Sequence, residues 1–127
     1  MAENITRLRE NHLVINYLAL SKKFPINIEK MLEDLYAVSL DLVKRGVSVD
    51  VSFQYNGFRH SSPEINSQIW HWVSNGFLLE GNNSLDISNL GRKVFRKEVI
   101  DKKMNQYIDS DVRHLMESSL GKILFLN

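Results

Sequence analysis

From Asn75 the chain reads Asn75-Gly76-Phe77-Leu78-Leu79-Glu80-Gly81-Asn82-Asn83-Ser84-Leu85-Asp86-Ile87-Ser88-Asn89-Leu90-Gly91. Phe77–Glu80 and Ser84–Ile87 flank Gly81-Asn82-Asn83, a turn composition, so they predict a short β-hairpin. Upstream, Ser61-Ser62-Pro63-Glu64 opens a helix. Either Ser61 and Glu64 form a capping box, or Ser62 caps with Pro63 at the first helical position. That helix carries Ile65, Ile69, Trp72 and Val73 on one stripe, sets Trp70 off it, and stops before Gly76. Downstream, Ser88 or Asn89 caps a helix bearing Leu90, Val94 and Val99.

Working outward, a first helix is expected from about Thr6 to Ser21, with Leu8, His12, Ile15, Leu18 and Ala19 on one face. Leu13, Val14, Tyr17 and Leu20 widen that face, so the helix is buried on more than one side. Lys22-Lys23-Phe24-Pro25 ends it, because a residue before proline avoids helical geometry. A second helix follows from the N-cap Asn27 to Arg45 and stops at Gly46. Val47, Val49, Val51, Phe53 and Tyr55 then alternate with Ser48, Asp50, Ser52 and Gln54, the period of one strand with one buried face, ended by the Asn56-Gly57 turn. A last helix, capped by Asp109 or Ser110, carries Val112, Leu115, Met116 and Leu120 and is expected to end at Gly121.

The chain has 127 residues, 43% hydrophobic and 24% charged, the size and balance of one folded domain. Sixteen Lys and Arg against 15 Asp and Glu give a net charge of +1. That balance argues against a protein that coats nucleic acid through its whole surface. With no cysteine, disulfide frameworks, thiolate zinc sites and thiol catalysis are excluded. The start of the chain has no targeting pattern and no stretch approaches the ~20 apolar residues of a membrane span, so a cytoplasmic location without membrane contact is expected.

The elements add up to an α+β, mainly helical chain. A winged-helix-like domain, helices with a small three-stranded antiparallel sheet, is expected over about residues 6–97, with a helical C-terminal extension over 98–127 in the same single domain. Residues 47–95 add a resemblance. Phe53-Gln54-Tyr55-Asn56-Gly57-Phe58, Ser61-Ser62-Pro63-Glu64-Ile65, Asn75-Gly76-Phe77-Leu78 and Leu85-Asp86-Ile87-Ser88-Asn89-Leu90-Gly91 are similar to the Panacea-type winged-helix domains of small bacterial proteins. Those domains show a strand, a Y-G-P-x-S loop, a helix ending before G-L-I, a hairpin and an L-T-x-x-G helix start. Here the loop proline comes later, at Pro63. The resemblance implies a link to antitoxin, phage and defence systems, where small winged-helix subunits accompany ATPases and nucleases.

Catalytic patterns are missing. His12, His60, His71 and His114 have no metal-ligand spacing, and His12 reads as a hydrogen-bonded core histidine. His60 lies beside Ser61 and Ser62, but no glycine-flanked serine elbow exists, and capping explains the serines. The glycines stand singly at element boundaries, so no phosphate-cradling loop is formed. No enzyme, cofactor or metal is expected.

Binding is the remaining class. The helix from Pro63 takes the recognition position of a winged helix, yet no Lys or Arg occurs between Arg59 and Arg92. Phosphate contacts supply most DNA affinity, so that face is poorly equipped for DNA. The expected function is therefore a non-catalytic subunit or adaptor. It contacts another protein or a second copy of itself through Trp70 and the tail Ile123, Leu124, Phe125 and Leu126. The alternative is a DNA-binding regulator. It would place Gln68, His71 and Asn75 at bases, and Arg92, Lys93, Arg96 and Lys97, within a basic helix running over 92–103 that also holds Lys102 and Lys103, on phosphates.

Overall fold

The computed structural model describes residues 5–97 and 104–125. In chain order they form β1 (Arg7–Arg9), α1 (Glu10–Leu20), β2 (Ile26–Asn27), α2 (Ile28–Lys44), β3 (Ser48–Asp50) and β4 (Gln54–Tyr55). Then come β5 (His60–Ser61), α3 (Pro63–Ser74), β6 (Leu78–Gly81), β7 (Ser84–Ile87), α4 (Asn89–Phe95), a 3-10 turn (Asn105–Tyr107) and α5 (Ser110–Phe125). The class is α+β and mainly helical, as the sequence predicts.

Helix α1 is the centre. His12 through Leu18 are all buried, and seven consecutive residues make about two full turns. No side of that stretch meets water, because α2, α3, α4 and α5 all pack on it. Its polar groups therefore need partners inside the protein. Asn16 Nδ2 donates to the His12 carbonyl at 2.7 Å and to Asn105 Oδ1 at 3.2 Å, and Asn105 Nδ2 donates back to Asn16 Oδ1 at 2.9 Å. Tyr17 donates its hydroxyl proton to Asp34 Oδ2 at 2.7 Å, and Lys30 Nζ donates to the same oxygen at 2.9 Å. Burial first, then the Asp34 carboxylate, pushes the Tyr17 phenol far above its ordinary value. His12 is the core histidine expected: its Nδ1 accepts the Arg9 backbone N–H at 2.9 Å.

Two expectations near the N-terminus and the middle of the chain are corrected. The helix does not begin at Thr6, since Arg7–Arg9 pair in parallel with Ser48–Asp50 and Leu8 enters the core from a strand. The predicted strand 47–55 is also not one strand. Its burial keeps the period of two only as far as Phe53, since Tyr55 is exposed; β3 pairs with β1 and β4 with β5, and the ladder lapses over Val51–Phe53 where the partner changes. The third strand beside the expected hairpin is instead β2, giving the order β2-β7-β6, all antiparallel.

The helix starts follow their caps. Asn27 Oδ1 accepts from Lys30 N at 2.9 Å, Ser62 Oγ from Ile65 N at 3.3 Å, and Ser88 Oγ from Gly91 N at 2.9 Å. Ser62, with Pro63 behind it, is thus the choice at α3. Ser88 Oγ also donates to the Gly76 and Phe77 carbonyls, so one hydroxyl joins the end of α3 to the start of α4. At Gly91 an added Cβ would stand 2.0 Å from the Phe77 carbonyl oxygen, and only glycine permits that approach.

Helix α5 does not end at Gly121 but runs on to Phe125. Its N-cap is Asp109, whose Oδ1 accepts from the N–H groups of Asp111 and Val112. Met116 and Leu120 are fully buried in the same core as α1 and α2, so α5 is no separate layer. Ile5 bridges Ile108 in parallel, which ties the start of the described chain to the entry of α5.

Two outcomes follow from this packing. Gly91→Ala should lower unfolding free energy by about 1–3 kcal/mol, and Leu120→Ala by about 2–5 kcal/mol, in urea titrations. A loss below about 0.5 kcal/mol at Leu120 would make α5 a loose appendage. The second outcome concerns His12, where burial holds the native imidazole below its ordinary 6.5. As pH falls below that value the unfolded chain takes up a proton that the native chain refuses, so the His12 contribution is greatest above pH 6.5 and declines below it. His12→Gln, which keeps the cap without titrating, should flatten the change in urea midpoint between pH 7.5 and 5.5. An unchanged pH slope in that variant would refute the assignment.

Candidate functional site

The inner side of α3 is spent on the fold. Ile65 and Ile69 are buried, and the Trp72 ring meets Phe95 edge-on at 5.4 Å and Phe77 at 5.2 Å. The outer side presents Trp70, 54% exposed, as predicted from its place off the stripe. Gln68 and His71 line an open groove of about 830 Å³ between α3 and the start of α1, shared with Arg9, Glu10 and Glu64. Glu64 is held below the usual carboxylate range by its own backbone N–H and by hydrogen bonds from Ser52 and Ser62, so it stays an anion. Asn75 is exposed but turned back on its helix, with Nδ2 donating to the His71 carbonyl at 2.7 Å.

The cations proposed to accompany these residues lie elsewhere. Arg92, Lys93 and Arg96 line a second cleft with Leu18 and Phe24, at the end of α1 rather than its start. Eleven residues of helix separate the two ends, about 16 Å at 1.5 Å per residue. Lys97 is exposed beyond this cleft, and Lys102 and Lys103 lie outside the described residues. The structure thus places Gln68 and His71 in a different groove from the α4 cations, whereas Asn75 precedes Gly76, which Ser88 ties to the start of α4.

The tail divides likewise. Ile123 and Leu124 are partly buried against the core of their own chain, whereas Phe125 is 57% exposed. Leu126 lies outside the described residues.

One surface group was not anticipated. Phe58 is 92% exposed at the tip of the β4–β5 hairpin, and Tyr55 beside it is 62% exposed. The tip is built rather than loose. Asn56 Oδ1 accepts from the N–H groups of Phe58 and Arg59, Gly57 sits at φ +96°, and the Tyr55 hydroxyl donates to the Gly57 carbonyl at 3.0 Å. The hairpin is docked on α2 by Arg59 on Glu29, by the His60 N–H and ring on Glu33, and by the His60 ring stacked on Tyr36 at 3.6 Å. Backbone and ring hydrogen bonds from His60 hold the Glu33 carboxyl below its usual range. His60 is therefore occupied in fastening the hairpin. The Asn56-Gly57 turn was the available sign, since a side chain just past so tight a turn has few neighbours.

Among the described residues no group of three His, Asp or Glu is placed to hold a metal ion. No described helix is long and apolar enough to cross a membrane. Set against protein-family models, curated proteins and solved structures, the chain finds no match.

Proposed function

We propose that the chain is a non-catalytic adaptor subunit built on a winged-helix arrangement, serving a bacterial defence, antitoxin or phage-related assembly. The element order supports the arrangement: a strand between α1 and α2, then α3, then a hairpin whose second strand returns to pair with that first strand. The assembly context rests on the resemblance of residues 47–95 alone. The observation that carries the adaptor role is the outer face of α3. It offers an exposed Trp70 and no Lys or Arg, in the position from which a DNA-reading winged helix contacts bases. A large aromatic ring without cations suits the dry centre of a protein interface, and it lacks what phosphates require. In the neighbouring groove Glu10 is met by Arg9 at 3.9 Å, and Glu64 is left to repel a phosphate backbone. Phe58 at the hairpin tip supplies a second aromatic anchor.

Co-expression with the products of neighbouring genes, followed by mass determination in solution, tests the role. A stable complex, or a homo-oligomer, is expected for the wild type. Trp70→Ala combined with Phe58→Ala should weaken it at least tenfold while leaving the unfolding midpoint within the usual scatter of surface changes. A chain that stays monomeric and captures no neighbour would end the proposal.

A further inference from the structure

The turn between α1 and β2 separates two clefts that adjoin at Ser21. One, of about 350 Å³, holds Phe24, Arg92, Lys93 and Arg96. The other, of about 470 Å³, holds Lys22, Lys23, Leu124 and Phe125. Both are large enough for a ligand group, and neither is lined by a carboxylate. None of Lys22, Lys23, Arg92, Lys93 or Arg96 forms an ion pair with a described carboxylate. These five cations therefore line the two clefts with no carboxylate among the lining residues.

Each cleft also pairs a cation with a ring. The Arg92 guanidinium lies 5.7 Å from the Phe24 centroid, and Lys22 Nζ lies 4.8 Å from that of Phe125. Cations interleaved with accessible aromatic rings along a groove are what a single-stranded nucleic acid needs: charge for the phosphates and flat apolar faces for unpaired bases. A duplex offers no free base faces inside the helix. A membrane would call for several protruding rings, whereas here Phe125 is exposed and Phe24 is partly buried against the core. An acidic peptide would satisfy the cations and leave the rings unused.

We propose that the two clefts form one groove for single-stranded nucleic acid, with phosphates on Lys22, Lys23, Arg92, Lys93 and Arg96 and bases against Phe24 and Phe125. Trp70 and Phe58 line neither cleft, so a strand and a protein would not compete for the same side chains. Neither proposal depends on the other.

Fluorescence anisotropy of a labelled 12-nucleotide thymidine strand tests it with the full chain at 50 and 200 mM salt. Micromolar binding is expected, with a log–log salt slope of about −3 for four to five phosphate contacts on a single strand. Two charge reversals on separate elements, Lys22→Glu with Lys23→Glu and Arg92→Glu with Arg96→Glu, should each weaken binding at least tenfold. Phe125→Ala should weaken it about fivefold or more with little change in salt slope. Melting of each variant confirms folding, and the two charge pairs stand in for one another if one fails to fold. Duplex of equal length and vesicles of phosphatidylserine in phosphatidylcholine serve as competitors. Absent binding at 50 µM protein, competition by vesicles or duplex as strong as by unlabelled strand, or full affinity in Phe125→Ala would each overturn the proposal.

Discussion

The stretch His12–Leu18 of α1 has no solvent side, so each polar side chain within it must find a partner inside the protein. His12, Asn16 and Tyr17 interrupt its otherwise apolar stretch, and leaving any of them unpaired in the core would cost about 1–3 kcal/mol. Each partner lies on a different element. The backbone of β1 serves His12, Asn105 ahead of α5 serves Asn16, and Asp34 of α2 serves Tyr17. These three contacts place the N-terminal strand, the C-terminal helix and the longest helix around one axis. The hairpin and α4 then close the remaining side, through Ser88 and the glycine contact at Gly91.

Surfaces left over by this enclosure are where function has room. The outer side of α3 carries Trp70 without cations, the β4–β5 tip carries Tyr55 and Phe58 beside Arg59, and the end of α1 carries cations beside rings. In this way a chain of near-zero net charge still gathers Arg92, Lys93 and Arg96 in one cleft.

Much of this architecture was legible in the sequence, because caps and turns act locally. Asn27, Ser88 and Gly46 do what their residue types dictate, and Trp70 points outward as the helical period requires. The errors arose where distant segments decide. Arg7–Arg9 is a strand only because Ser48–Asp50 lies beside it, and Ile26-Asn27 is one only because β7 offers a partner. Gly121 lies inside a helix because α5 is supported by the core rather than by its own propensity. At the candidate sites, the cations of α4 were visible, but their separation from Gln68 and His71, and the meeting of Arg92 with Phe24, are tertiary facts with no local signature.

The claim on which the rest depends is that α1 and α5 belong to one cooperative unit. Native-state amide hydrogen exchange at increasing denaturant measures this directly. If the enclosure is as described, amides of Leu13–Leu18 and of Leu115–Leu120 exchange only through global unfolding, with the same free energy and the same denaturant dependence. Exchange of the α5 amides at a clearly lower free energy, with α1 still protected, would show that α5 opens by itself and would contradict it.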